Sequence, residues 1–168
     1  NKIGAYNPSD YMLLDFSTKR NLEITFSMND GGREGSLISI LDKTQTPMGG
    51  RMLKKWISAP LRKLNPILKR QECVEEFTNH KVLRNNIQNE LKEIGDLERL
   101  ISRVCTGRIN PRELISVKTS LKKIPLIKQL LDNSRSEVLQ QINEKLNDLD
   151  ALVELMEISL SDNPPAAI

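Results

Sequence analysis

Residues 137–160 read EVLQQINEKLNDLDALVELMEISL. Within them Leu139, Ile142, Leu146, Leu149, Val153, Met156 and Leu160 follow one another in steps of three and four. That spacing is a heptad seam, and it predicts one long packed helix over Glu137–Leu160. At 1.5 Å per residue the helix would run roughly 36 Å. Leu152, Leu155 and Ile158 widen the apolar stripe, so more than one neighbour is expected.

The segments before it also read as helices. Asn110-Pro111 with Glu113 spells a capping box with proline inside it. Leu114, Val117, Leu121 and Ile124 follow at helical steps, and Pro125 should end or kink that helix near Ile124. Gly95-Asp96 breaks and recaps the chain, and Leu97, Leu100, Ile101 and Val104 run to a stop at Gly107. Leu83, Ile87, Leu91 and Ile94 mark a helix from Lys81, and Asn65-Pro66 starts the one before it. Nearer the start, Ser36 caps Leu37–Leu41 and Asp15 caps Phe16–Leu22. Between them, Asn29 to Gly35 is a loop by composition. Tyr11 to Leu14 is a short extended segment, and residues 1–10 form an irregular lead-in. The expected fold is all-α and multi-helical over residues 11–168, with long antiparallel helices and at most that short N-terminal extended segment.

The stretch from Leu41 to Trp56 also starts a helix. Thr46 can cap it with its hydroxyl, and Pro47 fits the first helical position, where no backbone donor is needed. Met48, Met52, Leu53, Trp56 and Ile57 share one face, which predicts a buried Trp56. Gly49 and Gly50 in the first turn each cost up to about 1 kcal/mol against Ala. Tight packing is the plain reading of these glycines, and contact with a ligand is the other. No Gly-x-x-x-x-Gly-Lys-Ser/Thr phosphate loop occurs anywhere in the chain.

Composition narrows the classes. With 168 residues, 38% apolar content and only 4% aromatics, Leu, Ile and Val must supply a single core. The net charge of +3 is too weak to argue nucleic-acid binding by itself. Charge is unevenly spread, however. Seven basic and no acidic residues lie between Arg51 and Arg70, whereas seven acidic and two basic residues lie between Arg135 and Asp162. The basic run reads either as a solvated or ion-paired face or as a phosphate-facing surface. Cys73 and Cys105 show no metal or disulfide spacing and read as buried free thiols in a reducing cytosol. No signal peptide and no 18-residue apolar run is present. A chain that begins at Asn1 without Met reads as a piece of a longer one.

Catalysis finds no support. Asp148 and Asp150 point to different helix faces, His80 lacks a nucleophilic partner, and Asp96 with Arg99 reads as a cap and an ion pair.

Five separated stretches resemble one family. Leu-Asp-x-Thr-x-Thr-Pro-Met-Gly-x-Arg-x-Leu-Lys-x-Trp at 41–56 is similar to the signature of the core, or lever, domain of MutS, the DNA mismatch repair ATPase. Asp15 to Ile24 resembles the segment entering that domain. Gly95 to Leu100 and Gly107 to Leu114 resemble its middle, and Asp162 to Pro165 resembles its edge, where a clamp domain is inserted. The Thr-Pro-Met-Gly form resembles bacterial members. The matched residues Asp15, Asn21, Leu22, Asp42, Thr46, Pro47, Gly49, Arg51, Trp56, Asp96, Arg99 and Pro111 carry over as structural. No catalytic, cofactor-binding or metal-binding residue carries over, since the family's Phe-x-Glu mismatch probe and ATP site lie in other domains.

The resemblance implies a lever that joins an ATPase to a clamp enclosing DNA, and therefore no enzyme in this stretch alone. For the full-length protein it implies ATP and Mg, clamp, connector and ATPase domains as partners, mismatched duplex DNA, a homodimer, and a cytoplasmic, nucleoid-associated place away from membranes. Two other readings are a free-standing helical adaptor and a helix-turn-helix DNA binder using the basic run. The family's chain passes through the clamp and returns as a second long helix. Without that helix, Val153, Met156 and Leu160 are expected to lack cover and to drive self-association.

Overall fold

Local chemistry sets several of the helix ends. Asp15 accepts the Thr18 amide at 2.6 Å and opens α1 (Phe16–Asn21). Asn110 and Glu113 form the complete capping box at the start of α7 (Pro111–Leu121). Asp96 accepts the Arg99 amide at the start of α6 (Leu97–Cys105), which ends before Gly107 in the left-handed region at φ 65°. The computed structural model describes residues 10–161 together with Pro164 and Pro165. Most of the expected lead-in, and the Asp162-Asn163 pair, lie outside the described residues. Among those described, the architecture is all-α, with a single isolated bridge between Tyr11 and Leu61 in place of an N-terminal strand.

The chain forms two compact units, residues 10–44 with 49–70, and residues 45–48 with 71 onward. The first holds α1, α2 (Leu37–Leu41), α3 (Pro47–Ser58) from Gly49, and α4 (Leu64–Asn79) as far as Arg70. Its buried apolar residues are Ile24 and Ile38. The amides of Leu37 and Ile38 donate to the carbonyls of Glu23 and Ile24, which ties the start of α2 to the turn after α1. Ser36 precedes α2 as expected, but its hydroxyl donates to the Arg33 carbonyl at 2.5 Å instead of capping the helix.

The second unit holds the rest of α4, α5 (Lys81–Lys92), α6, α7, α8 (Ile124–Leu131), α9 (Glu137–Lys145) and α10 (Asp150–Ser159). Pro125 sits in the first turn of α8, where its missing donor costs nothing, so α7 ends at Leu121. A short turn after α8 reverses the chain, and α9 packs on α8 while α10 packs on α7. The result is an antiparallel hairpin with a break in each arm.

The second break corrects the expectation of one helix over 137–160. The chain leaves the helix at Leu146 and re-enters it at Asp150, with Leu149 left-handed at φ 55°. Asn147 and Asp148 are poor helix formers because their short polar side chains compete for local backbone groups. Asp148 is further held by Lys128 on α8, Nζ to Oδ2 at 3.2 Å. Five of the seven seam residues still face inward, divided between two clusters, while Ile142 and Leu149 are exposed. Leu139 and Leu146 join Ile87, Ile94, Ile127 and Leu131, whereas Val153, Met156 and Leu160 join Val117 and Leu121. Val153, Met156 and Leu160 are thus covered within one chain, contrary to expectation. The exposed large apolar residues of α10 are Leu152, Leu155 and Ile158. Cys73 is half-buried as a free thiol, but Cys105 is exposed rather than buried.

Candidate functional site

In the first unit the motif stretch is built around Asp42. Its Oδ1 accepts the amide of Thr44 at 3.1 Å and the hydroxyl of Thr44 at 2.6 Å, and its other oxygen pairs with the Arg33 guanidinium. The Thr44 bonds, with Arg33 beside them, hold the carboxyl below the usual carboxylate range. A Cβ at Gly50 would meet Thr44 Oγ1 at 3.4 Å. Glycine there lets the Asp42–Thr44 turn lie against the first turn of α3, which favours the packing reading of that residue. Thr46 stands half-buried before Pro47, the first residue of α3, and Gly49 and Arg51 are half-buried inside it.

Trp56 is 41% exposed, not buried. The Arg70 guanidinium lies over its ring at 3.7 Å, and Lys54 lies over Phe26 at 5.3 Å. Two members of the basic run are therefore spent on aromatic faces, and Lys63 pairs with Asp10 at 2.7 Å. Asp15 caps α1, and the Thr18 bonds lower its pKa. Asn21 ends α1 and Leu22 caps its C-terminus, both exposed.

In the second unit the motif residues form corners. Asp96 caps α6 and also pairs with Arg99 at 3.4 Å. Pro111 opens α7 behind Asn110. Arg103 on α6 pairs with Glu113 at 3.0 Å and donates to the Arg108 carbonyl at 2.9 Å, closing the α6–α7 corner. Ser120, fully buried in α7, accepts the Gly95 amide at 2.9 Å and donates to the Ser116 carbonyl. Arg112 donates to the carbonyl of Pro164 at 3.1 Å, fixing the chain beyond α10 to the start of α7.

Sequence reasoning missed Glu76. It is buried in α4, and its carboxylate accepts the amides of Arg135 and Ser136 at 2.8 and 2.7 Å. Ser136 is the N-cap residue of α9, so a side chain from another helix serves the cap. The Cys73 sulfur lies 3.1 Å from the Ser136 hydroxyl. A cleft of about 340 Å³ opens beside these groups, between Glu72, Asn79, His80 and Arg135. No signal within α4 marks this role, because the partners lie about sixty residues away. Asp15, Asn21, Leu22, Asp42, Gly49, Arg51 and Trp56 fall in the first unit, and Thr46, Pro47, Asp96, Arg99 and Pro111 in the second.

What these contacts can do is mechanical. They pin helix ends to one another through charged, directional bonds, which restricts the helices to few arrangements. Among the described residues, no group of three or more His, Cys, Asp or Glu side chains is placed to hold a metal ion, and no helix is long and apolar enough to cross a membrane.

A family profile described as MutS domain III matches residues 17–168. A DNA mismatch repair protein MutS of Symbiobacterium thermophilum is 43% identical over 166 residues, covering 99% of this chain and 19% of that protein. Its counterpart in Salinibacter ruber is 42% identical over 99% of the chain and 18% of that protein. The one in Clostridium botulinum is 39% identical over 100% and 18%. The chain thus spans about a fifth of the length of these relatives.

Proposed function

Since the chain belongs to the MutS domain III family, we propose that it is the core, or lever, element of a DNA mismatch repair protein. It couples an ATPase domain mechanically to a clamp that encloses DNA. In that protein its partners are the clamp, connector and ATPase domains and, through them, mismatched duplex DNA. The full-length protein acts as a cytoplasmic, nucleoid-associated homodimer and uses ATP and Mg outside this stretch.

The observation that carries the reading is the set of cross-ties in the second unit. Glu76 caps α9, Ser120 holds the α5–α6 corner, and Arg112 holds the carbonyl of Pro164. Each tie joins elements distant in sequence, so force applied at one helix end is passed on rather than absorbed. A lever requires that stiffness together with discrete positions.

The test is made in the full-length protein. Arg112→Ala removes the tie to Pro164 from an exposed side chain, so the fold should survive. DNA-stimulated nucleotide exchange should lose its dependence on clamp closure, followed by fluorescence transfer, while nucleotide affinity stays the same. Normal coupling in that variant would count against the lever.

A further inference from the structure

The described surface carries two patches that are part apolar and part charged, with opposite signs. The first is a cavity of about 540 Å³ in the first unit, between α1 and the loop that follows it. Phe16, Phe26 and Met28 line it, and each is more than half exposed. Lys19 and Arg20 line it too, on the same face of α1 as Phe16. Neither cation has an ion-pair partner among the described residues. The loop is held by its own bonds: Glu23 accepts the Met28 amide at 2.5 Å, and Asp30 accepts the Gly32 amide at 2.8 Å. The lining carboxylate, Asp30, is thus committed to backbone, and the uncommitted charge of the cavity is positive. The second patch is the outer face of α10. Leu155 and Ile158 lie three residues apart and Glu154 lies four before Ile158, so they share a face, with Asp150 one turn earlier on its acidic edge. All four are exposed, and neither carboxylate has an ion-pair partner among the described residues.

We propose that α10 of one copy of the chain docks antiparallel to α1 on this cavity of a second copy. The two patches match in reverse order. Along α1 the Phe16 ring comes one turn before Arg20, and along α10 Glu154 comes one turn before Ile158. Laid antiparallel, Ile158 falls on the aromatic side of the cavity and Glu154 opposite Arg20, with Leu155 and Asp150 extending the apolar and acidic contacts. A helix laying its apolar face into a groove supplies the attraction, and the paired charges fix its direction. The two patches are different surfaces of the chain, so the contact is heterologous. Each copy keeps one cavity and one helix face free, and copies add head to tail. Few side chains enter the contact, so the association is weak. It does not depend on the lever reading, and its failure would leave that reading untouched.

Sedimentation equilibrium of the 168-residue chain, at concentrations up to about 1 mM, tests the contact. The average mass of wild type should rise with concentration without stopping at the dimer, and added salt should lower it. Phe16→Ala with Arg20→Ala removes the cavity's ring and cation, and Glu154→Ala with Ile158→Ala removes the helix's acid and apolar anchor. Each pair should weaken association at least tenfold. An equimolar mixture of the two variants holds one intact cavity and one intact helix face, so it should form a one-to-one heterodimer and nothing larger. All four side chains are exposed, and circular dichroism checks that the helices persist. If either pair loses helix, Arg20→Ala and Glu154→Ala alone replace it. A monomeric wild type, variants that associate as wild type does, or a mixture that stays monomeric would each overturn the proposal.

Discussion

Glu76 caps a helix to which it does not belong. Its carboxylate, carried by α4, accepts the amide of Ser136 at 2.7 Å at the start of α9, with the Arg135 amide beside it at 2.8 Å. The side chain is buried, so truncation leaves two amides without their acceptors. Glu76→Ala should cost about 2–4 kcal/mol, the sum of a lost cap and a desolvated donor. Glu76→Gln keeps one acceptor and should cost less. Urea midpoints at a common slope separate the three proteins. Equal midpoints for Ala and wild type would show that the cap contributes nothing.

Trp56 shows the opposite case, an apolar residue left partly in water. With 41% of its surface exposed and Arg70 stacked on it, truncation removes partial burial and one cation–π contact. Trp56→Ala should cost about 1–2 kcal/mol, below the ~3–5 kcal/mol of a fully buried indole. Since Trp56 is the only tryptophan, its emission should also resemble that of a solvated indole. Strongly blue-shifted emission would contradict the exposure seen here.

Asp42 should make stability depend on acid pH. The Thr44 hydrogen bonds, with Arg33 beside them, hold its folded pKa below the ordinary value of 3.8. For a lowered carboxylate the contribution is present above the unfolded value and is lost as pH falls through the folded one. Asp42→Asn removes the charge, so the stability gap between it and wild type should be full near pH 5 and shrink as pH drops below 3.8. Asp15 titrates in the same direction, but it is common to both proteins and cancels in the difference. A gap that does not vary with pH would mean that Asp42 acts through shape rather than charge.

The contrast between the caps and the joint at Leu149 shows which features were legible. Asn110, Pro111 and Glu113 act on amides within one turn, so their chemistry is complete in four consecutive residues. Pro125 and Gly107 are local in the same sense. The break at 146–149 left no mark in the apolar pattern, because Leu146 and Val153 keep their step whether the helix is whole or divided. Asn147 and Asp148 were the only signal, and a propensity of a few tenths of a kcal/mol each does not overrule a heptad by itself. Trp56 was misplaced because periodicity names a face but does not say how deeply that face is covered. Among the family-motif residues, caps and turns were readable individually. The Asp42–Thr44–Gly50 contact and the Glu76 cap needed the folded chain.

The two faces of α10 should respond very differently to mutation. Met156 is buried against Val117 and Leu121, whereas Ile158, two residues on, is 87% exposed. Met156→Ala opens a cavity between α10 and α7 and should cost about 2–5 kcal/mol. Ile158→Ser removes a side chain that touches little and should change stability by no more than about 0.5 kcal/mol. Any self-association should follow the exposed face, since Leu152, Leu155 and Ile158 lie open while Val153 and Leu160 pack inward. Light scattering at increasing concentration should therefore respond to Ile158→Ser and not to conservative changes at Val153. If Ile158→Ser destabilised the fold as much as Met156→Ala, the inward and outward faces of α10 would have to be exchanged.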